Sequence, residues 1–236
     1  VKRDPESVVR RYNLNQWVAA ENIWIPYGCW DACRDDSLDL DTAQPLYVGI
    51  DIARNIDSTA VAMVQRRILE DGRVRYPCRS VIWENPYRED DPRYADWRMN
   101  NNLVVELCRE LFEKYSVAAC TIDDEIMPGP CFAYDPWRFR PEAEKLTGEG
   151  LAMLEYGQTD TRMVPASQAL YEAIVNREIA HNGDAAQKRH IQNVTPDQRE
   201  RGWRISKPKG SGKKIDFAVA LAIAVWCSQQ EPPASS

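Results

Sequence analysis

Histidine is scarce in this 236-residue chain, with two residues against seven cysteines. The closest cysteine pair, Cys29 and Cys33, is too widely spaced for a CxxC motif, and His181 and His190 stand apart from the cysteines. A zinc site of the Cys/His kind is therefore not expected. An odd cysteine count without regular spacing points to reduced thiols in a cytosol-like compartment. No apolar run approaches the ~20 residues a membrane span needs. The opening VKRDPESVVRRY lacks the apolar core of a signal peptide, and its abruptness reads as the start of a fragment. The phosphate-loop pattern GxxxxGK[ST] is missing too. Lys209-Gly210-Ser211-Gly212-Lys213-Lys214 comes near it, but the upstream Gly fails the spacing and Lys214 stands where Ser or Thr belongs. That piece reads as a flexible basic loop, and no ATPase activity is expected. Positive charge is in deficit, 30 Lys and Arg against 36 Asp and Glu. A net charge of −6 argues against indiscriminate coating of nucleic acid but leaves room for a local basic surface.

What is present suits one α/β domain with an arm. Hydrophobic residues make up 44% and charged residues 28%, ordinary proportions for a globular chain. Residues 1–43 carry Trp17, Trp24 and Trp30 among Pro and Gly and read as an extended arm docked on its neighbour. The domain proper is expected over 44–228, with 229–236 as a disordered tail. Apolar runs at 46–52 and 59–65, and a third within Val74–Trp83, predict an antiparallel meander. Asn102–Tyr115 has helical spacing. Val117–Ile122, Cys131–Tyr134 and Leu151–Tyr156 read as strands; Pro141–Thr147 and Ser167–Asn176 read as helices. Glu178–His181 and His190–Ser206 read as strands or extended arms about the Asn182-Gly183 turn. Ile215–Cys227 is almost wholly apolar and predicts a buried helix.

Three aspartates each sit at the end of an apolar element: Asp51 closes the first strand, Asp135 follows Cys131–Tyr134, and Asp216 lies in the first turn of the last helix. Asp57, in the turn after Asp51, is a fourth candidate. Each has an ordinary alternative. Asp51 could cap a strand end, Asp135-Pro136 could open a turn, Asp57 could cap one, and Asp216 is favoured by the helix dipole. An Asp in a core strand is costly unless paired, hydrogen-bonded or bound to a metal. Converging carboxylates raise one another's pKa, and a divalent cation removes that penalty. Two Mg²⁺ or Mn²⁺ ions sharing a carboxylate would clamp the attacking water and leaving oxygen of a phosphodiester.

The segments GIDIARNIDSTAVAMV, AYDPWRF, RMVPASQALYEAI and HNGD…GWRISKPKGSGKKIDFAVALAIAV, in this order, resemble the nuclease domain of the large subunit of tailed-phage terminases. The resemblance spans about residues 44–227, and the leader YNLNQWVAAENIWIPYGCWDACRD resembles the segment joining that family's ATPase domain to its nuclease. It implies a ribonuclease H-like fold, a mixed five-stranded sheet flanked by helices. It also implies three metal-binding acids at Asp51, Asp135 and Asp216, an accessory acid at Asp57, and two bound Mg²⁺ or Mn²⁺ ions. Asp123, Asp124 or Glu125 could instead supply the second acid.

The implied activity is endonucleolytic cutting of concatemeric double-stranded DNA during genome packaging, with little sequence specificity. The implied partners are the ATPase domain, the small terminase subunit and the portal, in the cytoplasm of an infected bacterial host. Arg204, Lys207, Lys209, Lys213 and Lys214 belong to a basic cluster that also takes in Arg199 and Arg201, and suit phosphate contacts. Two other readings stand beside this one: another ribonuclease H-like nuclease, of the Holliday-junction resolvase or transposase type, and a non-catalytic module docking on a motor or portal.

Overall fold

A computed structural model describes residues 23–52, 58–122, 125–208 and 210–230. Trp17, Asp57, Asp123, Asp124 and Lys209 lie outside the described residues. The main sheet is built on five long strands, β1 (Tyr47–Asp51), β2 (Thr59–Val64), β4 (Val74–Trp83), β7 (Cys131–Tyr134) and β8 (Ala152–Glu155). They run in the order β4-β2-β1-β7-β8. The first three are antiparallel, whereas β7 runs parallel to β1 and β8 parallel to β7. Two-residue strands β3 (Arg67–Ile68) and β9 (Ile179–Ala180) both pair with β4 and bring the sheet to seven. The difference from five is confined to these short edge additions.

Other sequence expectations change, among them the start of the helix expected over 167–176, which begins at Asp160. The strand expected over 117–122 shrinks to β5 (Cys120–Ile122), which pairs with β6 (Glu125–Met127) in a separate hairpin. His190 was expected in an extended arm but lies in a helix, α4 (Ala185–Gln192). Asp184 caps it, its carboxylate accepting the Ala186 and Gln187 N–H groups at 2.8 and 2.9 Å. The cap supplies a helix start that so short a stretch could not advertise by periodicity. Downstream, β10 (Thr195–Arg199) and β11 (Gly202–Ser206) form an antiparallel hairpin.

Side-chain alternation along β1 divides the core. Leu46, Val48 and Ile50 pack with residues of α1 (Asn102–Tyr115) and α2 (Pro136–Gly148). Tyr47 faces the opposite layer, formed by α3 (Asp160–Val175) and α5 (Asp216–Ser228). Every residue from Phe217 to Val225 is buried, because α5 lies between the sheet and α3. A helix apolar on all sides needs such a position. It lies so close to β1 that a Cβ on Gly49 would stand 2.9 Å from the Ala220 carbonyl carbon and 3.1 Å from the Ala224 nitrogen.

The described part of the arm closes over this layer. Trp24 meets Tyr171 and Trp203, and its Nε1–H donates to the Ile191 carbonyl at 2.7 Å. Trp30 stacks on His181, with centroids 4.2 Å apart and planes 3° from parallel. His181 Nδ1 accepts the Gly183 N–H at 3.0 Å, so its proton sits on Nε2, 2.8 Å from the Trp30 carbonyl oxygen. Burial lowers the His181 pKa below its ordinary 6.5. The unfolded chain therefore takes up this proton first as pH falls, and stability is lost from about pH 6.5 downward through the folded-state value. Urea midpoints should fall between about pH 7.5 and pH 5.5, and H181N should flatten that fall. A parent curve and variant curve of equal slope would show that His181 does not couple pH to folding.

Candidate active site

Parallel pairing of β1 with β7 sets Ile50 opposite Tyr134. Asp51 and Asp135 are the next residues, so they leave the same sheet edge on neighbouring strands, ~4.8 Å apart by strand spacing. Asp51 is buried at 8% exposure, and its Oδ1 accepts the Gln158 Nε2–H at 2.9 Å. Asp135 is the N-cap of α2, with Pro136 at the first helical position, and its Oδ1 accepts the Trp137 N–H at 3.0 Å. The helix thus begins earlier than the 141–147 span suggested by sequence, and the Asp-Pro step that resembled a turn opener is a helix start.

Asp216 arrives from the facing layer. Ala220 of α5 lies against Gly49 of β1. Asp216 is four residues from that contact along a helix, ~6 Å; Asp51 is two residues from it along a strand, ~6.6 Å. The two offsets are nearly equal, and both aspartates line one cleft of about 280 Å³ together with Asp135. Asp216 Oδ2 accepts the hydroxyl of Ser58, which is fully buried. The N-cap position of α5, Ile215, offers no side-chain cap. His190 takes over that duty: fully buried, it accepts the Phe217 N–H on Nδ1 at 3.0 Å and presents Nε2 to Glu84 Oε1 at 3.1 Å. Both histidines are therefore built into the framework.

Of the cations proposed from sequence for DNA, Arg204 and Lys207 line the cleft, and Arg138 joins them. Lys213 lines a separate hollow with Trp24 and Tyr27. The Lys214 carbonyl accepts the Asn193 side-chain amide at 3.0 Å. Within the wider basic cluster Arg199 pairs with Asp197 at 2.6 Å, and just upstream of it Lys188 pairs with Asp31 at 2.8 Å. Glu125 is exposed on β6 and is not among the residues lining the cleft.

Among the described residues the lining contains neither Cys nor His. Burial pushes the Cys33, Cys78 and Cys108 thiols up to about 12, so none of these is a thiolate nucleophile near neutral pH. Among the described residues no group of three or more His, Cys, Asp or Glu side chains is gathered closely enough to enclose an ion. The cleft offers instead three carboxylates, each held by its own donor, around a shared space. Oxygen donors of this kind fit hard divalent cations and not soft ones. Ser58, Gln158 and the Glu84–His190 buttress were not foreseen. Single polar residues in loops leave no periodic trace in sequence, although the polar gap Gly157–Asp160 between a strand and a helix was a signal for Gln158.

Comparison with known proteins identifies the family and the fold. The family described as the terminase large subunit, endonuclease domain, matches residues 6–231. Protein YmfN of Escherichia coli K12 is 26% identical over 234 residues, covering 93% of this chain and 51% of its own length. The terminase large subunit of Enterobacteria phage HK97 is 25% identical over 238 residues, covering 96% and 45%. The chain thus spans about half the length of the curated relatives it matches. The crystal structure of the HK97 large terminase has a TM-score of 0.65 at 20% identity, covering 92% of this chain and 46% of that one. The large terminase nuclease of thermophilic phage G20c, in a structure with bound magnesium, has a TM-score of 0.52 at 15% identity, covering 80% and 84%. At these identities the likeness is one of fold, and it is the ribonuclease H-like α/β fold of terminase nucleases. With the family spanning nearly all of its length, the chain belongs to the terminase large subunit endonuclease domains.

Proposed function

We propose that residues 44–228 form a metal-dependent DNA endonuclease that cuts concatemeric double-stranded DNA, with little sequence specificity, while a viral genome is packaged. The observation that carries this reading is the meeting of Asp51, Asp135 and Asp216, from three distant parts of the sequence, in one cleft edged by cations. The magnesium in the G20c nuclease structure supports a hard divalent cation here as well. Two Mg²⁺ or Mn²⁺ ions bound there would supply Lewis-acid activation of water and neutralise charge developing on the scissile phosphate. Asp51, Asp135 and Asp216, which line the cleft together, would hold these ions. Ser58, Gln158 and the Trp137 N–H hold the three carboxylates in fixed orientation. Lys207 and Arg138 face the phosphate backbone at the cleft mouth, where contact is independent of base sequence. Asp57 serves as an accessory acid. Residues 1–43 join this domain to an ATPase motor in a longer polypeptide that works with a small subunit and a portal in the infected cell.

Supercoiled plasmid incubated with the chain and Mg²⁺ or Mn²⁺ should become nicked and then linear. EDTA should stop the reaction, and so should Asp216→Ala. Cleavage that survives either treatment would overturn the metal-centred reading.

A further inference from the structure

We infer that Gln158 and Arg204 are positioning residues for Asp51, and that Arg204 acts through this relay and not as a DNA contact; the inference rests on the metal reading of the cleft. Gln158 lies between β8 and α3, and its amide meets Asp51 Oδ1 at 2.9 Å. A carboxylate can only accept, so the amide nitrogen must face it. One oxygen of Asp51 is thereby fixed, and with it the plane of the carboxylate. The Gln158 backbone is fixed in turn from β11, where Arg204 Nη1 donates to the Gln158 carbonyl at 2.9 Å and to Asp160 Oδ1 at 3.2 Å. The β10–β11 hairpin is thus joined to Asp51 through two side chains.

The same contacts remove Arg204 from the cations suited to a phosphate. Its side chain is 17% exposed and its charge faces Asp160. Lys207, just beyond the end of β11, is exposed at the cleft. In sequence the two residues look like equal members of one basic run; in the fold they have different duties. Partners that orient a metal-binding carboxylate typically contribute 10–100-fold to metal affinity.

The test measures two quantities on the whole chain: Mn²⁺ binding by calorimetry without DNA, and DNA binding in EDTA across a salt series. Q158A and R204M should each weaken Mn²⁺ binding about 10–100-fold. R204M should leave the slope of log K against log salt at the parent value, whereas K207M should lower it by about 1. Should R204M fail to fold, Q158A, altered in a loop, still decides the relay through Mn²⁺ affinity. Mn²⁺ affinity within about twofold of the parent in Q158A, or a salt slope lowered by about 1 in R204M, would overturn the inference. A parent chain that binds no Mn²⁺ would overturn the metal reading itself, and this inference with it.

Discussion

Gly49→Ala should destabilise the protein by about 3 kcal/mol or more and displace Asp216 from Asp51. The Cβ it adds would fall well inside contact distance of the Ala220 carbonyl oxygen, 2.9 Å from its carbon and 3.1 Å from the Ala224 nitrogen. These are backbone atoms of a buried helix, so no side chain can swing aside. Either α5 lifts from β1 or the strand bends away from its neighbours. Overpacking typically costs 1–3 kcal/mol, and contact with backbone belongs at the upper end. Total stability is only ~5–15 kcal/mol, so this loss is a large share. For a domain of this size it corresponds to roughly 6–12 °C in melting temperature. Gly148→Ala is the control, since nothing lies within 4 Å of its added Cβ. That change should be neutral or raise stability by ~0.4–1 kcal/mol by restricting the unfolded chain. Thermal melts of both variants, with Mn²⁺ binding measured on whatever G49A protein folds, check the argument. A G49A protein that melts with the parent and binds Mn²⁺ equally would show that the close approach of α5 to β1 is not what sets the site.

Gly49 also marks the limit of what could be foreseen. The alternation along 46–52 shows that Gly49 and Asp51 share a face, and the structure puts α5 against that face. Sequence does not say that the helix comes close enough to require a glycine, because that depends on a contact with Ala220 far along the chain. Elements with a full period were legible: Asn102–Tyr115 has the bounds expected from its pattern, and the strand expected within Val74–Trp83 fills that whole span. Those controlled by one capping residue were not, as α4 behind Asp184 and the early start of α2 behind Asp135 show. The acids were legible as charges ending apolar runs. Their supports were not, since Ser58, Gln158 and His190 act at sequence separations of 158, 107 and 27 residues from the groups they hold. The basic run misled in the opposite direction: charge density along the chain cannot show that Arg204 and Arg199 are answered by Asp160 and Asp197.

Asp51→Asn should reduce plasmid cleavage by about 10³-fold while leaving the fold intact. The amide has nearly the shape of the carboxylate, and its oxygen can still accept from Gln158. What disappears is one of the three negative charges that line the cleft. In metal-free buffer that removes repulsion within the cleft, so the melting temperature should stay level or rise. With Mn²⁺ the order reverses. A ligand that binds only the folded state stabilises it by ~2.7 kcal/mol at one hundred times its dissociation constant. The parent should therefore melt higher as Mn²⁺ is added, whereas D51N should respond little. The loss of rate follows from the same charge: correct placement of divalent cations supplies several kcal/mol at the transition state, and ~4 kcal/mol is a factor of about 10³ in rate. The two measurements separate the possible roles of Asp51. A residue that only capped a strand end would change the metal-free melt and spare the Mn²⁺ response. Cleavage by D51N within about tenfold of the parent, or an undiminished Mn²⁺ shift, would return Asp51 to that structural role and move the centre of the site to Asp135 and Asp216.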